Sequence, residues 1–333
     1  WQIFLNLLTE LVFFPTFPED EMEREKEVVR REMAMYADDP DSVAYQLLMQ
    51  TLYLKHPRRW PVLGERAAFD CLTRQDVLDY HASRYVPNNV VLSIAGDVDA
   101  AEILSHLELL VEDLKSRPLN REPIPHEPHQ FGSRRVRKEF AVPYSKLHLA
   151  WRLPCSAHPD TPALSALSSI LGGGRSARFY EKFHDRLGLV YSIEVHSNQS
   201  ETDEGAFTIS MDVDRAQRDK VRDLVLQELR NLAEEDFTED LKRVSKQTRV
   251  SPLRRRSSAS GVASEMGADW FGSRNLNLSS EWQEAIERVT TEDLHRVCST
   301  WLSSPNVTEV SLDPPGSNAG DEERASASAG TAL

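Results

Sequence analysis

The sequence predicts an α+β protein of two homologous domains, each a mostly antiparallel sheet packed with helices. Three observations carry this expectation. Apolar residues recur at helical spacing over much of the chain, as in "WQIFLNLLTELVFF" at 1–14. Short apolar runs bounded by turn residues, such as "NNVVLSIAGDV" and "NVTEVSLD", read as strands. The chain also repeats itself: "TRQDVLDYHASRYVPNNVVLSIAGDV" from Thr73 lines up with "TTEDLHRVCSTWLSSPNVTEVSLD" from Thr290, an offset of 217. "FPED" at 17–20 lines up with "FTED" at 237–240, an offset of 220.

The elements follow in order. Residues 2–13 form an apolar-striped helix that "PTFP" breaks. A helix from about Pro18 to Tyr36 carries Glu19, Asp20 and Glu21 in its first turn, where the helix dipole favours them. Another spans about 41–54, and "HPRRWPVLG" is a loop. A helix capped by Thr73 leads into the strand "NNVVLSIAGDV", and 99–116 give one more helix. Residues 117–135, "RPLNREPIPHEPHQFGSRR", are proline-rich and aperiodic, hence a linker. Strands at about 136–142 and 146–153, a helix at 161–171, "GGGR" and a helix at 176–186 come next. Strands near 190–198 and 205–213, long helices through 214–302 and the strand "NVTEVSLD" complete the pattern. The domains are thus 1–116 and 136–313, and the tail 314–333 is expected to be disordered. At the repeat offset, the counterparts of 137–223 fall at about −83 to 3, so roughly eighty residues of the first domain are expected to be missing from this sequence.

Composition narrows the function classes. The chain is 40% hydrophobic and 28% charged, and its net charge of −14 argues against nucleic acid as a partner. The basic clusters "RRVRK" at 134–138 and "RRR" at 254–256 are short and read as solvated or salt-bridged surface. No run of 18 apolar residues exists, so no membrane-spanning helix is expected. Cys71, Cys155 and Cys298 have neither zinc-finger nor disulfide-framework spacing. Nothing in the sequence reads out a compartment.

One helix face is anomalous. With Glu25 as origin and about 100° per residue, Met22, Val29 and Tyr36 lie within roughly 60° of it and Glu32 about 20° away. The stripe expected to be buried therefore carries two carboxylates at i and i+7. Such groups require a hydrogen-bonding partner, an arginine or a metal. At the repeat offset their counterparts are Ser245 and Pro252, so packing of the repeated unit does not require carboxylates there. None of the ten histidines belongs to an H-x-x-E-H, and in "HEPH" at 126–129 Pro125 and Pro128 forbid the helix that would aim both rings together. "LGGGR" at 171–175 lies between helices, outside the strand-turn-helix setting of a phosphate loop, so Gly172 reads as a hinge or helix cap.

"FPEDEMEREKEVVRRE", "DDPDSVAYQLLMQTLYLKHPRRWPVLG" and "YVPNNVVLSIAGDVD" resemble the back half of the catalytic domain of insulinase/pitrilysin-type zinc peptidases, which carry an H-x-x-E-H motif. "LPCSAHPDTPALSALSSILGGGRSARFYEKFHDRLGLVYS" is similar to that family's downstream, non-catalytic repeat, and the resemblance runs from about 1 to 313. It implies that Glu32 matches the distal zinc ligand and Glu25 a glutamate that orients an imidazole ligand. Tyr191 matches a tyrosine that reaches the active site and donates to the developing oxyanion. His184 stands where the family has an arginine, and a protonated imidazole would do part of its work. Arg186, close in sequence, points elsewhere on a helix. This chain has no H-x-x-E-H. By resemblance the full-length protein is a zinc endopeptidase in which two domains form half a clamshell around peptides or unfolded segments, as a homo- or hetero-dimer. The chain alone is expected to be inactive. The alternative is a non-catalytic partner subunit of a related peptidase.

Overall fold

The computed structural model describes residues 1–120, 122–199, 204–302 and 305–316. The expected tail lies, from residue 317 on, outside the described residues. In chain order the elements are α1 (Gln2–Phe13), α2 (Glu19–Asp38), α3 (Pro40–Leu52), α4 (Arg66–Asp70), α5 (Arg74–Arg84) and α6 (Ala100–Val111). Then come β1 (Arg134–Glu139), β2 (Ser145–Leu153), α7 (Thr161–Gly172), a π-helix (Tyr180–Arg186), β3 (Val190–Asn198) and β4 (Gly205–Val213). Last are α8 (Arg218–Asn231), α9 (Thr238–Arg255), α10 (Ala259–Ser273), α11 (Leu278–Glu287), α12 (Thr291–Val297) and β5 (Thr308–Asp313). No helix among the described residues is long and apolar enough to cross a membrane.

The strands form one sheet in the order β1–β5–β2–β4–β3, parallel only between β1 and β5. Strand alternation builds its core. Leu147, Leu149, Trp151 and Leu153 of β2 share a face with Phe207, Ile209 and Met211 of β4, and α7 and α8 cover that side. On the opposite face Leu48, Met49, Leu52 and Tyr53, at the end of α3, pack with Ala150, Ala206 and Val310. Covered on both faces, β2 is buried along nearly its whole length. The basic cluster on β1 is salt-bridged: Arg135 meets the buried Glu309 at 2.8 Å and Arg137 meets Asp219 at 2.7 Å.

The chain divides into two compact units that interleave. Unit 1 holds Trp1–Tyr36, Trp60–His126 and Lys242–Arg288, and unit 2 holds Ala37–Arg59, Glu127–Leu241 and the residues from Val289 on. This division by contacts differs from the boundaries at 116 and 136 expected from the sequence, and the internal repeat accounts for the difference. Asp39 caps α3 by accepting the N–H of Ser42, and Ser258 caps α10 by accepting the N–H of Gly261, which puts the two helices in register at an offset of 219. Thr73 with Asp76, and Thr290 with Asp293, form matching capping boxes on α5 and α12 at the offset of 217. Each half lends one such helix to the other's unit: α3 belongs to unit 2 and α10 to unit 1. The contacts match too. Leu48 and Val310 share one apolar cluster, and their counterparts are Gly267 and Ser93, whose side chain lies 3.3 Å from where a Cβ on Gly267 would be.

Two expectations need correction here. The expected strand through 88–98 is irregular at 90–95 and pairs with no strand among the described residues, so unit 1 has no sheet there. Its alternation survives: Val91, Ser93 and Ala95 are half-buried, while Leu92 and Ile94 are exposed. A strand is a paired state, and alternation supplies the pattern without the partner. The linker's second half is built into unit 2. Glu127 is 3% exposed, and its carboxylate accepts the N–H groups of Leu54, Lys55 and His56 at 2.6, 2.8 and 2.9 Å. Arg134 donates to the carbonyls of Thr51 and Leu52 at 2.9 Å, satisfying acceptors that the end of α3 leaves open.

Candidate functional sites on α2 and β3

Four of the eight carboxylates of α2 are paired along the helix itself. Asp20 and Glu21 pair with Arg24, Glu23 with Lys26 and Glu27 with Arg30. Arg30 also reaches Asp70 at 2.8 Å, and Lys26 donates to the Leu72 carbonyl at 2.9 Å, which fastens α2 to the segment that follows α4. Glu25 and Glu32 differ: neither makes a hydrogen bond or ion pair among the described residues. Among the described residues no arginine pairs with either.

Their expected burial is corrected as well. No residue of α2 is fully buried; Glu25 is exposed and Glu32 half-buried. No described element closes over this face. It walls an open groove of about 780 Å³ with Leu7, Leu11 and Phe14 on one side and Met22, Glu25 and Val29 on the other. Among the described residues no three His, Cys, Asp or Glu side chains converge as a metal site. Glu32 offers one carboxylate where a zinc site needs three protein ligands, so the residues present do not compose one. "HEPH" is no substitute: His126 and His129 are exposed while Glu127 between them is turned inward.

In unit 2 the expected α-helix at 176–186 is a π-helix over Tyr180–Arg186, the wider winding often found near functional sites. His184 stacks on Tyr180 with ring centroids 4.4 Å apart, and its Nδ1 lies 2.7 Å from Asp185. Arg186 pairs with Glu181, so it does not replace the expected arginine.

Tyr191 lies on edge strand β3, where the register with β4 slips between Val190 and Ser192. Tyr191 is the extra residue of that bulge, a device that re-aims a side chain. Its ring is 60% exposed and packs against Tyr144, 5.2 Å between centroids. Behind Tyr144 stands Lys146, whose Nζ lies 5.8 Å from the Tyr144 ring centroid and meets Asp41 at 2.6 Å and Asp212 at 3.1 Å. Burial acts to lower the Lys146 pKa, but bonds to those two carboxylates outweigh it and hold the ammonium above its usual range. The next residue on that face of β2, His148, is pushed down to about 4, by burial first and the Lys146 charge second. Its Nδ1 is 2.9 Å from the Ser210 hydroxyl. Sequence reasoning missed Tyr144 and Lys146, because strand order, which no local pattern encodes, brings Tyr144 beside Tyr191 and Lys146 against Tyr144.

The family described as the peptidase M16 inactive domain matches residues 72–247. The chain is 24% identical over 312 residues to an uncharacterized zinc protease of Rickettsia felis, covering 90% of this chain and 72% of that protein. It is 24% identical over 319 residues to the zinc protease PqqE of Helicobacter pylori, covering 93% and 71%. The crystal structure of a protease from Helicobacter pylori superposes with a TM-score of 0.85 at 25% identity, covering 94% of this chain and 77% of that one.

Proposed function

The chain belongs to the peptidase M16 family, and on that premise we propose that it works in peptide hydrolysis as part of a zinc-dependent endopeptidase whose imidazole ligands these 333 residues do not supply. One observation carries the reading: on a helix where Asp20, Glu21, Glu23 and Glu27 are paired, Glu25 and Glu32 share a face without a partner among the described residues, and Glu25 lines an open, largely apolar groove. A carboxylate held on a rigid helix is suited to be one corner of a zinc site, and a neighbour two turns away is suited to orient an imidazole. Zinc in such a site would polarise the scissile carbonyl and its bound water. The roles of this chain's own groups are narrower. Glu32 is the ligand, Glu25 its support, and the exposed Tyr191 hydroxyl a donor to substrate oxygen. His184, tied to Asp185, is auxiliary. The substrates are peptides or unfolded segments, and the working form is a homo- or hetero-dimer.

A second reading is favoured by the absence of any three-residue metal cluster among the described residues and by His184 in the arginine position. Under it the chain is a non-catalytic partner that holds substrate for an active sister subunit. Expression from the complete reading frame separates the two. The peptidase reading expects one zinc per chain and cleavage of an unstructured peptide, with both lowered by Glu32→Gln. A full-length product that binds no zinc and cleaves nothing alone, yet raises the activity of a related catalytic chain, supports the partner reading and overturns the first.

A further inference from the structure

We infer that Tyr144 is the positioning residue for Tyr191, and that the two rings with Lys146 and Asp212 form one device fixing where the Tyr191 hydroxyl points. The inference about geometry stands by itself; its consequence for hydrolysis rests on the role proposed above for Tyr191.

Tyr191 needs such a device. A bulge residue on an edge strand has no ladder neighbour to hold it, and Tyr191 is 60% exposed. Tyr144 supplies the contact. It is half-buried one residue ahead of β2, where Ser145 opposes Val213 of β4, and Val213 also opposes Val190. The two tyrosines thus rise at the same end of the sheet, tilted 34° to each other. Each is anchored from below. Lys146 lies near the face of Tyr144 and is itself clamped by Asp41 and Asp212. The other oxygen of Asp212 accepts the hydroxyl of Ser192 at 2.8 Å, which pins the residue directly after the bulge. Asp212 therefore ties both flanks of the pair to one carboxylate.

Tyrosine-labelled NMR on the 333-residue chain tests the geometry. A ring-to-ring NOE between Tyr144 and Tyr191 is expected in the unsubstituted chain, and its absence overturns the inference. The Tyr191 ring resonances, assigned with Tyr191→Phe, are expected to move in Tyr144→Leu and to stay near their places in Tyr144→Phe, which keeps the ring. Unmoved resonances in a folded Tyr144→Leu also overturn it. In the full-length peptidase, Tyr144→Leu is expected to lower kcat about tenfold with little change in KM, and to add nothing to the loss caused by Tyr191→Phe. If the resonances move while hydrolysis is indifferent to Tyr191→Phe, the positioning stands and the proposed role of Tyr191 falls.

Discussion

Gly172, the last residue of α7, approaches Val195 of β3 so closely that a Cβ built on it would meet the Val195 backbone nitrogen at 2.5 Å. The cap itself is Gly173, whose N–H donates to the Ser169 carbonyl at 2.9 Å, so Gly172 serves close packing and not a hinge. The neighbour is strand backbone and cannot step aside. Gly172→Ala is expected to cost about 1–3 kcal/mol despite alanine's better helix propensity. Urea unfolding checks it, and an unchanged midpoint would show that α7 can shift freely on β3.

Glu127 holds the corner after α3 through three backbone N–H groups. Burial acts to raise its pKa, but the three bonds together outweigh burial and hold the carboxyl below its ordinary value of 4.5. A depressed carboxyl contributes stability above its unfolded pKa and loses it as pH falls through the folded one. Glu127→Gln is therefore expected to cost about 1–3 kcal/mol near neutral pH. The gap to the parent chain should narrow below about pH 4.5 in a pH series of unfolding midpoints. A gap that stays constant to pH 3 contradicts the assignment.

Buried His148 gives a second pH dependence in a different window. Its folded pKa is about 4 against an ordinary 6.5, so between those values the unfolded chain binds the extra proton. Stability is lost as pH falls from about 6.5 towards 4. In His148→Gln the slope of unfolding midpoint against pH across that window should flatten; an identical slope in both chains rules His148 out as its source.

The paired capping boxes predict paired effects. Thr73→Ala and Thr290→Ala each remove the acceptor for the N–H of Asp76 or Asp293. Each is expected to cost about 1 kcal/mol. Calorimetry of the two variants should show losses of similar size, and a loss confined to one would mean the boxes are not equivalent in strength.

Glu25→Gln and Glu32→Gln are expected to leave stability within about 0.5 kcal/mol of the parent, since neither carboxylate has a partner to lose among the described residues. Thermal unfolding of both variants checks this. A large destabilisation would assign the two residues to packing and remove the physical support for a metal-ligand role.

What could be read in advance follows the range of each interaction. The strands β2, β3 and β4 lie within a residue of their expected places, because period-two patterning and turn residues are local. The capping box at Thr73 is legible for the same reason: its partners are three residues apart. The resemblance to zinc peptidases also rests on continuous segments. Other features escaped because they depend on distant chain. The π-winding at Tyr180–Arg186 has no sequence period of its own, and the burial of Glu127 depends on backbone 71–73 residues away.

The sequence by itself determined the helices, the strands of the sheet, the repeat and the family, since each is written in neighbours or in whole segments. Only the tertiary structure decided that α3 and α10 belong to each other's units, that Val90–Ala95 has no strand partner among the described residues, and that Tyr191 leans on Tyr144. Pairing, burial and side-chain direction depend on what residues far along the chain place alongside, and a local pattern carries no record of them.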